Sequence, residues 1–281
     1  MRNDDSFHLQ IKQLLLHALA EDLGDGDITT MCTISAEAQL EGLLIAKDAG
    51  IIAGLAVARQ TFALLDEAVQ LTTYVNDGDR VENKQRIASL SGPGRAILSG
   101  ERLALNVLQR MSGIATLTQQ FVAAVRPTAA VILDTRKTAP GLRLLDKWAV
   151  RLGGGQNHRF GLFDMVMIKD NHITAAGSIS AAVNLVRRGD PRRRPIEVEV
   201  KNLPELAETL ALHVDRILLD NMSSETMREA VLMTAGRVPL EASGNVSLAN
   251  VAEIANTGVD YISIGKLTHS VNALDISLLL T

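Results

Sequence analysis

Cysteine, aromatic residues and long apolar runs are all scarce in this chain, and each shortage excludes something. Cys32 is the only cysteine among 281 residues, so neither an intrachain disulfide nor a cysteine-based metal cluster can form. Aromatic residues make up 3% of the chain, which leaves few rings on which nucleic-acid bases could stack. Every apolar run falls well short of the roughly 20 residues needed to cross a bilayer. The amino-terminal MRNDDSFHLQ carries acids where a secretory signal needs a basic segment followed by an apolar one. A cytoplasmic protein that spans no membrane is expected. The net charge of -4 gives no global attraction to nucleic acid or anionic lipid, so any anion binding has to be local. GxGxxG, GxxxxGKS and GxxxxGKT are absent, which argues against Rossmann dinucleotide binding and P-loop chemistry. No Ser/His/Asp order or reactive cysteine suggests a covalent nucleophile.

What is present is an ordinary globular composition, 47% hydrophobic and 21% charged, on a chain long enough for one large or two ordinary domains. Residues 8–22 read as an amphipathic helix with Ile11, Leu14, Leu15, Ala18 and Leu19 on one face, and Gly24-Asp25-Gly26-Asp27 stops it. From Gln39 to about Gly92 short β-like runs alternate with turns around one helix, Leu55 to Leu65, as in a small antiparallel α+β domain. Asn76-Asp77-Gly78-Asp79 reads as a tight turn between two strands. A long helix is expected from Pro93 to Val125, with a break near Ser112-Gly113.

After Val125 the pattern changes to short apolar runs separated by helix-length amphipathic segments, the signature of βα repeats and a parallel sheet. The runs are VILD, MVMIKD, IEVEV, RILLD, PLEAS and YISIG, and helices are expected at 177–188, 203–212, 223–235 and 247–256, with Ser223 and Ser247 as N-caps. Each run ends in a polar or small residue: Asp134, Lys169, Glu199, Asp220, Ser243-Gly244 and Gly265. In a parallel α/β barrel such ends share one rim, where the βα loops build the active site.

The densest concentration of chemistry lies between Asp134 and His172, where Arg136, Lys137, His158, Arg159 and Lys169 surround the Gly153-Gly154-Gly155 run. Guanidinium and ammonium groups beside flexible backbone suit several anionic groups. Arg143, Lys147 and Arg151 read as helix-surface charges. Glu199 and Asp220 are hard oxygen donors on successive strands, suited to Mg²⁺ or, equally, to salt bridges with neighbouring lysines. Ser243-Gly244-Asn245 and Gly265-Lys266 follow the last two strands, where small residues let backbone N–H groups approach a phosphate. The inventory fits an enzyme with a phosphorylated, metal-bound donor and a carboxylate-bearing acceptor. It also fits a barrel isomerase or aldolase using Lys137 or Lys169 as base or Schiff-base amine.

DTRKTAPGLR, GGGQNHR, IKDNH, EVEV, LLDNM, LEASGN, GKLTHS, ALDIS and, in the long helix, GERLALNVLQRMSGIAT closely resemble the quinolinate phosphoribosyltransferases. The resemblance runs nearly end to end. It implies an amino-terminal α/β sandwich domain over 1–113 and an open, TIM-like α/β barrel of fewer than eight strands over 114–281, with the last residues packing back on the first domain. It implies a pentosyltransferase that joins quinolinate to 5-phosphoribosyl 1-pyrophosphate and gives nicotinate mononucleotide, pyrophosphate and carbon dioxide, in de novo NAD synthesis. Mg²⁺ is implied with the donor, and no organic cofactor. A homodimer with shared active sites, or a trimer of such dimers, is implied as well.

By the same resemblance Arg102 is similar to an arginine donated across the dimer to quinolinate, and Thr135, Arg136, His158 and Arg159 to the rest of that pocket. Lys137 and Lys169 match lysines between the substrates and the pyrophosphate, and Glu199 and Asp220 match the acids holding magnesium and the ribose hydroxyls. Lys137, Lys169, Glu199 and Asp220 form the implied catalytic set. Ser243, Gly244, Asn245, Gly265, Lys266, Leu267 and His269 match the phosphate cradle. Lys266 stands where the family has a small residue, and Lys201 where an acid is commoner. The basic loop RRGDPRRRP, 187–195, reads as a solvated connection. A molybdenum-transport-associated paralogue of the same fold would depart around NHR and KDNH, both intact here. A catalytically silent barrel would lack a site cation or acid, and none is missing.

Overall fold

The computed structural model describes residues 5–281. Along the chain, α1 (Asp5–Leu23) and α2 (Ile28–Thr33) precede β1 (Gln39–Ala46), β2 (Gly50–Ile51), α3 (Leu55–Leu65), β3 (Gln70–Thr73), β4 (Arg80–Val81), β5 (Arg86–Pro93) and α4 (Gly94–Val125). Then come β6 (Val131–Leu133), α5 (Arg143–Leu152), β7 (Val166–Ile168), α6 (Asp170–Ala176), α7 (Ile179–Gly189) and β8 (Ile196–Val200). The remainder is α8 (Leu203–Leu210), β9 (Arg216–Asp220), α9 (Ser224–Thr234), β10 (Leu240–Ser243), α10 (Val251–Ala255), β11 (Tyr261–Ser263), α11 (Lys266–His269) and β12 (Ile276–Leu280). Among the described residues no helix is long and apolar enough to cross a membrane.

Packing divides the chain into two units. The first holds the chain up to Leu117 together with Thr138–Gly154 and Thr268–Thr281; the second holds Thr118–Lys137 and Gly155–Leu267. The first unit contains an antiparallel four-stranded sheet in the order β12-β1-β5-β3 and a two-stranded β2-β4 pair. Its core gathers Leu44, Phe62, Ile87, Leu90, Ile97 and Leu108 from strands and helices alike. Ile11, Leu15 and Leu19 are buried along one stripe of α1, as the spacing predicts. The Asn76–Asp79 turn forms, with the Asp79 N–H donating to the Asn76 carbonyl, but the strands on either side do not pair with each other. β3 pairs with β5 and β4 with β2, so this turn passes the chain between two sheets.

The break expected near Ser112-Gly113 is not there: α4 runs uninterrupted through both residues. Gly113 has a different task. A Cβ built on it would lie 2.1 Å from the carbonyl oxygen of Asn272, so the glycine lets the segment leading to β12 cross the helix closely. Leu274 N–H then donates to the Gln109 carbonyl and Gln109 Nε2 to the Ile276 carbonyl. Ser112 is spent on the Ala53 N–H rather than on bending its own helix.

α5 also departs from expectation. Lys147 is 2% exposed and is therefore not a helix-surface charge. Its neighbour Asp146 is fully buried and receives both prongs of Arg110, at 2.8 Å each, and the Ala139 N–H. A buried carboxylate needs that many partners. In the second unit Ser223 caps α9 as expected, but Ser247 does not cap α10; Asn250 takes the N-cap position, and Ser247 donates to its side chain.

The second unit is an open α/β barrel. Its six strands are all parallel, in the order β6-β11-β10-β9-β8-β7, and β6 and β7 form its two edges. All five residues of β8 are buried, the mark of a strand covered on both faces. Alternation then sends Ile196, Val198 and Val200 to one face and Glu197 and Glu199 to the other. The apolar face meets the helices, and the polar face looks into the barrel.

Gly113 supplies a test of the packing. Alanine there gains about 1 kcal/mol of helix propensity, but its Cβ would collide with backbone rather than with a side chain that could swing away. Overpacking of this kind costs about 1–3 kcal/mol. Gly113→Ala is therefore expected to lower the thermal unfolding midpoint, and an unchanged or raised midpoint in calorimetry would contradict the close crossing.

Candidate active site

The strand register determines which side chains share the barrel interior. Glu197 lies level with Met167 and Arg216, and Glu199 with Leu218. Leu218 is level with Glu241, Asp220 with Ser243, and Ser243 with Ser263. With a period of two, one face therefore carries Glu197 and Glu199, Arg216 and Asp220, Glu241 and Ser243, and Tyr261 and Ser263. Lys169, the first residue after β7, continues the same face. Its Nζ lies 2.5 Å from Glu199 Oε2. Lys169, Glu199, Asp220 and Ser243 thus converge on one rim from β7, β8, β9 and β10, four of the six strands.

Arg136 and Arg159 follow the ends of β6 and of the glycine run. Arg136 is partly buried, and its Nε is enclosed without a hydrogen-bond partner among the described residues. An unsatisfied buried guanidinium nitrogen is costly unless an anion meets it. Burial and the neighbouring Arg136 cation both lower the Arg159 pKa from its ordinary value. Arg159 Nη1 donates to the Met165 carbonyl at 3.2 Å. Lys137 is exposed beside the half-buried Thr135, whose Oγ1 accepts the Lys137 N–H.

Asn221 and the loop after β10 interlock. Asn221 N–H donates to the Ser243 carbonyl, and Asn245 Nδ2 donates to Asn221 Oδ1. Gly244 has φ +100°, and a Cβ on it would lie 2.1 Å from Asn221 Oδ1, so a glycine is required on both counts. Gly265 is half-buried, Lys266 exposed and Leu267 buried at the head of α11. Arg102 and His269 belong to the first unit. Both are exposed, and His269 Nδ1 lies 2.7 Å from Ser270 Oγ.

Beneath the rim lies a tier of which the sequence pointed to His158 but not to Glu197, Glu241 or Arg216. His158 Nε2 is 2.9 Å from Glu197 and 3.4 Å from Glu241, and all three residues are buried. Arg216 Nη1 is 2.9 Å from the same Glu241 oxygen, and its guanidinium lies 4.1 Å from the Tyr261 ring centroid. A faint signal existed: in IEVEV and PLEAS, Glu197 and Glu241 each stand two residues before a nominated rim residue. Burial alone would lower the His158 pKa, but Glu197 and Glu241 outweigh it and push it up from 6.5 to about 9. Burial pushes the Glu197 carboxyl up, and the charge of Glu241 adds to the effect. Burial acts the same way on Glu241, but His158, Ser263 and Arg216 hold it below its ordinary value. Nδ1 of His158 accepts the Arg159 N–H at 2.7 Å, so the shared proton sits on Nε2, and this contact has to open before a second proton can bind.

Two places could take a cation. His158, Glu197 and Glu241 bring one ligand atom each within 4.8 Å of one another, but Arg216 already holds Glu241 there. Glu199 and Asp220 sit on one face of adjacent strands at the open rim, two residues apart in register. Two carboxylates completed by water and phosphate oxygens are the usual setting of Mg²⁺. That donor set fits magnesium, with Lys169 as the cation that holds Glu199 otherwise. Lys201 turns instead to Asp170, at 3.2 Å.

An open parallel barrel with cations, carboxylates and small-residue loops on its C-terminal rim defines an enzyme that handles several anionic groups at once. The family descriptions "Quinolinate phosphoribosyl transferase, N-terminal domain" and "C-terminal domain" match residues 27–112 and 114–279. The probable nicotinate-nucleotide pyrophosphorylase (carboxylating) of Bacillus subtilis is 47% identical over 96% of this chain and 93% of its own. The quinolinate phosphoribosyltransferase (decarboxylating) 1b of Nicotiana tabacum is 47% identical over 95% of this chain and 81% of its own. The crystal structure of NadC from Streptococcus pyogenes superposes with a TM-score of 0.94 at 42% identity, covering 97% of each chain. The chain belongs to the quinolinate phosphoribosyltransferase family.

Proposed function

We propose that the chain transfers phosphoribosyl from 5-phosphoribosyl 1-pyrophosphate to quinolinate on the rim of its open barrel, releasing pyrophosphate and carbon dioxide and giving nicotinate mononucleotide. The observation that carries this reading is the half-buried Arg136, whose enclosed Nε has no hydrogen-bond partner among the described residues, beside a neighbouring Arg159 on the same rim as Lys169, Glu199, Asp220 and Ser243. Two carboxylates on adjacent ring carbons are the natural complement of two adjacent guanidinium groups. Residues 1–113 and 114–281 form the two domains of this reading, and the two family matches meet at that boundary.

Arg136, Arg159 and Thr135, with His158 behind them, hold quinolinate so that its ring nitrogen faces the ribose carbon. Ser243, Gly244, Asn245, Gly265, Lys266 and Leu267 bind the 5′-phosphate, chiefly through backbone N–H groups that the small residues leave open. Glu199 and Asp220 hold the ribose hydroxyls and would hold magnesium, which when bound supplies positive charge to the pyrophosphate oxygens. As the bond from the ribose carbon to pyrophosphate breaks and that to the ring nitrogen forms, Lys137 and Lys169 offset the charge that develops on the leaving group. Lys169 is held by Glu199 in the structure and is released to the pyrophosphate as Glu199 takes up its own partners. The ring nitrogen is then cationic. Its positive charge stabilises the electron pair left on the adjacent ring carbon when the carboxylate there departs as carbon dioxide, and a proton then takes that position on the carbon.

The purified protein with quinolinate, the phosphoribosyl donor and Mg²⁺ is expected to release carbon dioxide in step with pyrophosphate. Nicotinate, which lacks the second carboxylate, should fail as a substitute; equal turnover of nicotinate would sink the reading. We also place Arg102 of the partner subunit in the quinolinate pocket of a homodimer, a role that its exposed position on α4 leaves open to it. Mixing Arg102→Ala with Lys137→Ala subunits should then restore activity, since one site in the mixed dimer is intact. No recovery despite demonstrated subunit exchange would return Arg102 to its own chain's site.

A further inference from the structure

Barrel interiors of this kind are ordinarily filled by layers of branched apolar side chains. Here the layer under the rim contains two fully buried glutamates, an arginine and a histidine. Burying two carboxylates is unfavourable unless each is paired, and a hydrophobic layer would stabilise the fold as well or better. Stability alone therefore gives no reason for the arrangement.

Its geometry gives one. Glu241 is oriented from below by Arg216, which itself lies against the Tyr261 ring. Glu197 and Glu241 approach the same atom, His158 Nε2, from strands β8 and β10. The other ring nitrogen, Nδ1, receives the backbone N–H of Arg159 at 2.7 Å. Asp134, at the end of β6, accepts the His158 N–H at 2.9 Å and the Asn157 side chain at 2.5 Å. The backbone from Asn157 to Arg159 is thus held from β6, β8 and β10 at once, and the imidazole is the link between the barrel floor and the Arg159 main chain. With Nε2 directed at the glutamates and Nδ1 at the Arg159 N–H, neither ring nitrogen points at the rim. A metal ion in place of this link is disfavoured by the Arg216 guanidinium, which shares Glu241 with the imidazole.

We infer that Glu197 and Glu241 are positioning residues for the acceptor pocket, acting through the His158 ring to hold Arg159 where it and Arg136 together match a pair of adjacent carboxylates. This rests on the reading of the rim as a quinolinate site. The two arginines repel one another, and Glu197 offsets part of that repulsion on Arg159. Without the anchored ring the Arg159 backbone is free to relax away from Arg136, and a shift of about 1 Å in such a clamp weakens binding substantially. Glu197 itself lies on β8, apart from the strands that lead into the phosphate cradle, β10 and β11.

The test is a kinetic comparison of the intact enzyme with the nearly isosteric Glu197→Gln, folding being checked by circular dichroism. Glu197→Gln should raise KM for quinolinate by about tenfold, the effect of losing one close charge pairing with the ring, while KM for the phosphoribosyl donor stays within about twofold. In a His158→Gln background the same substitution should add little, because the ring through which it acts is gone. An unchanged quinolinate KM, an equal rise in both KM values, or effects of Glu197→Gln and His158→Gln that simply multiply would each overturn the inference. Should Glu197→Gln fail to fold, Glu197→Asp keeps the charge and shortens the reach; it too should raise the quinolinate KM selectively, and an unchanged value would refute the positioning role. Absence of turnover by the unaltered protein would instead refute the quinolinate reading itself.

Discussion

The parallel register of β7, β8, β9 and β10 is the constraint on which the site depends. A shift of one residue in any of these strands would turn its polar side chains outward against the helices and its apolar ones into the barrel. The outward face prevents this: Ile196, Val198, Ile217, Leu219, Leu240 and Ala242 are all buried, and none could be exchanged for a charged neighbour without a large desolvation cost. The apolar half of each strand therefore aims the functional half. Lys169, Glu199, Asp220 and Ser243 reach a common rim because the layer behind them fixes the phase of every strand.

Under that rim the barrel uses charge as filling. Two buried glutamates, an arginine and a histidine form one group, in which Arg216 and the imidazole lie against the carboxylates. Such a group tolerates no casual substitution, since loss of one member leaves an uncompensated charge in an apolar interior. Its position couples the floor of the barrel to the cationic loop above it. The first unit contains a parallel case in Arg110 and Asp146, whose paired hydrogen bonds join α4 to α5. In both places a buried ion pair sets the position of a segment more than it adds stability.

Much of the fold is legible in the chain. All six parallel strands coincide with short apolar runs, α3 has the limits that its periodicity predicts, and Ser223 caps the helix it precedes. Family motifs then add a function that residue types alone left shared with aldolases and isomerases. What misled were residues whose local signal had two meanings. Gly113 reads as a helix break but is a close crossing, Lys147 reads as a surface charge but is buried, and Ser247 reads as a cap but supports Asn250 in that place. For Gly113 the deciding neighbour lay elsewhere in the chain, the Asn272 carbonyl, and for Ser247 it was a competing side chain three residues on; Lys147 is decided by burial that its own helix does not announce.

The sequence by itself determined the kind of elements, their order, and the residue types available at each strand end, because period, turn chemistry and motif spacing are local properties. Only the tertiary structure decided which of those residues meet. Glu197 and Glu241 are separated by a whole βαβαβ passage, and nothing near either in the chain announces the other. The sheet brings both to His158 Nε2 because parallel pairing sets β8, β9 and β10 in register with their polar faces inward. Alternation assigns a side chain to a face; register assigns it a neighbour, and register is a property of the folded sheet.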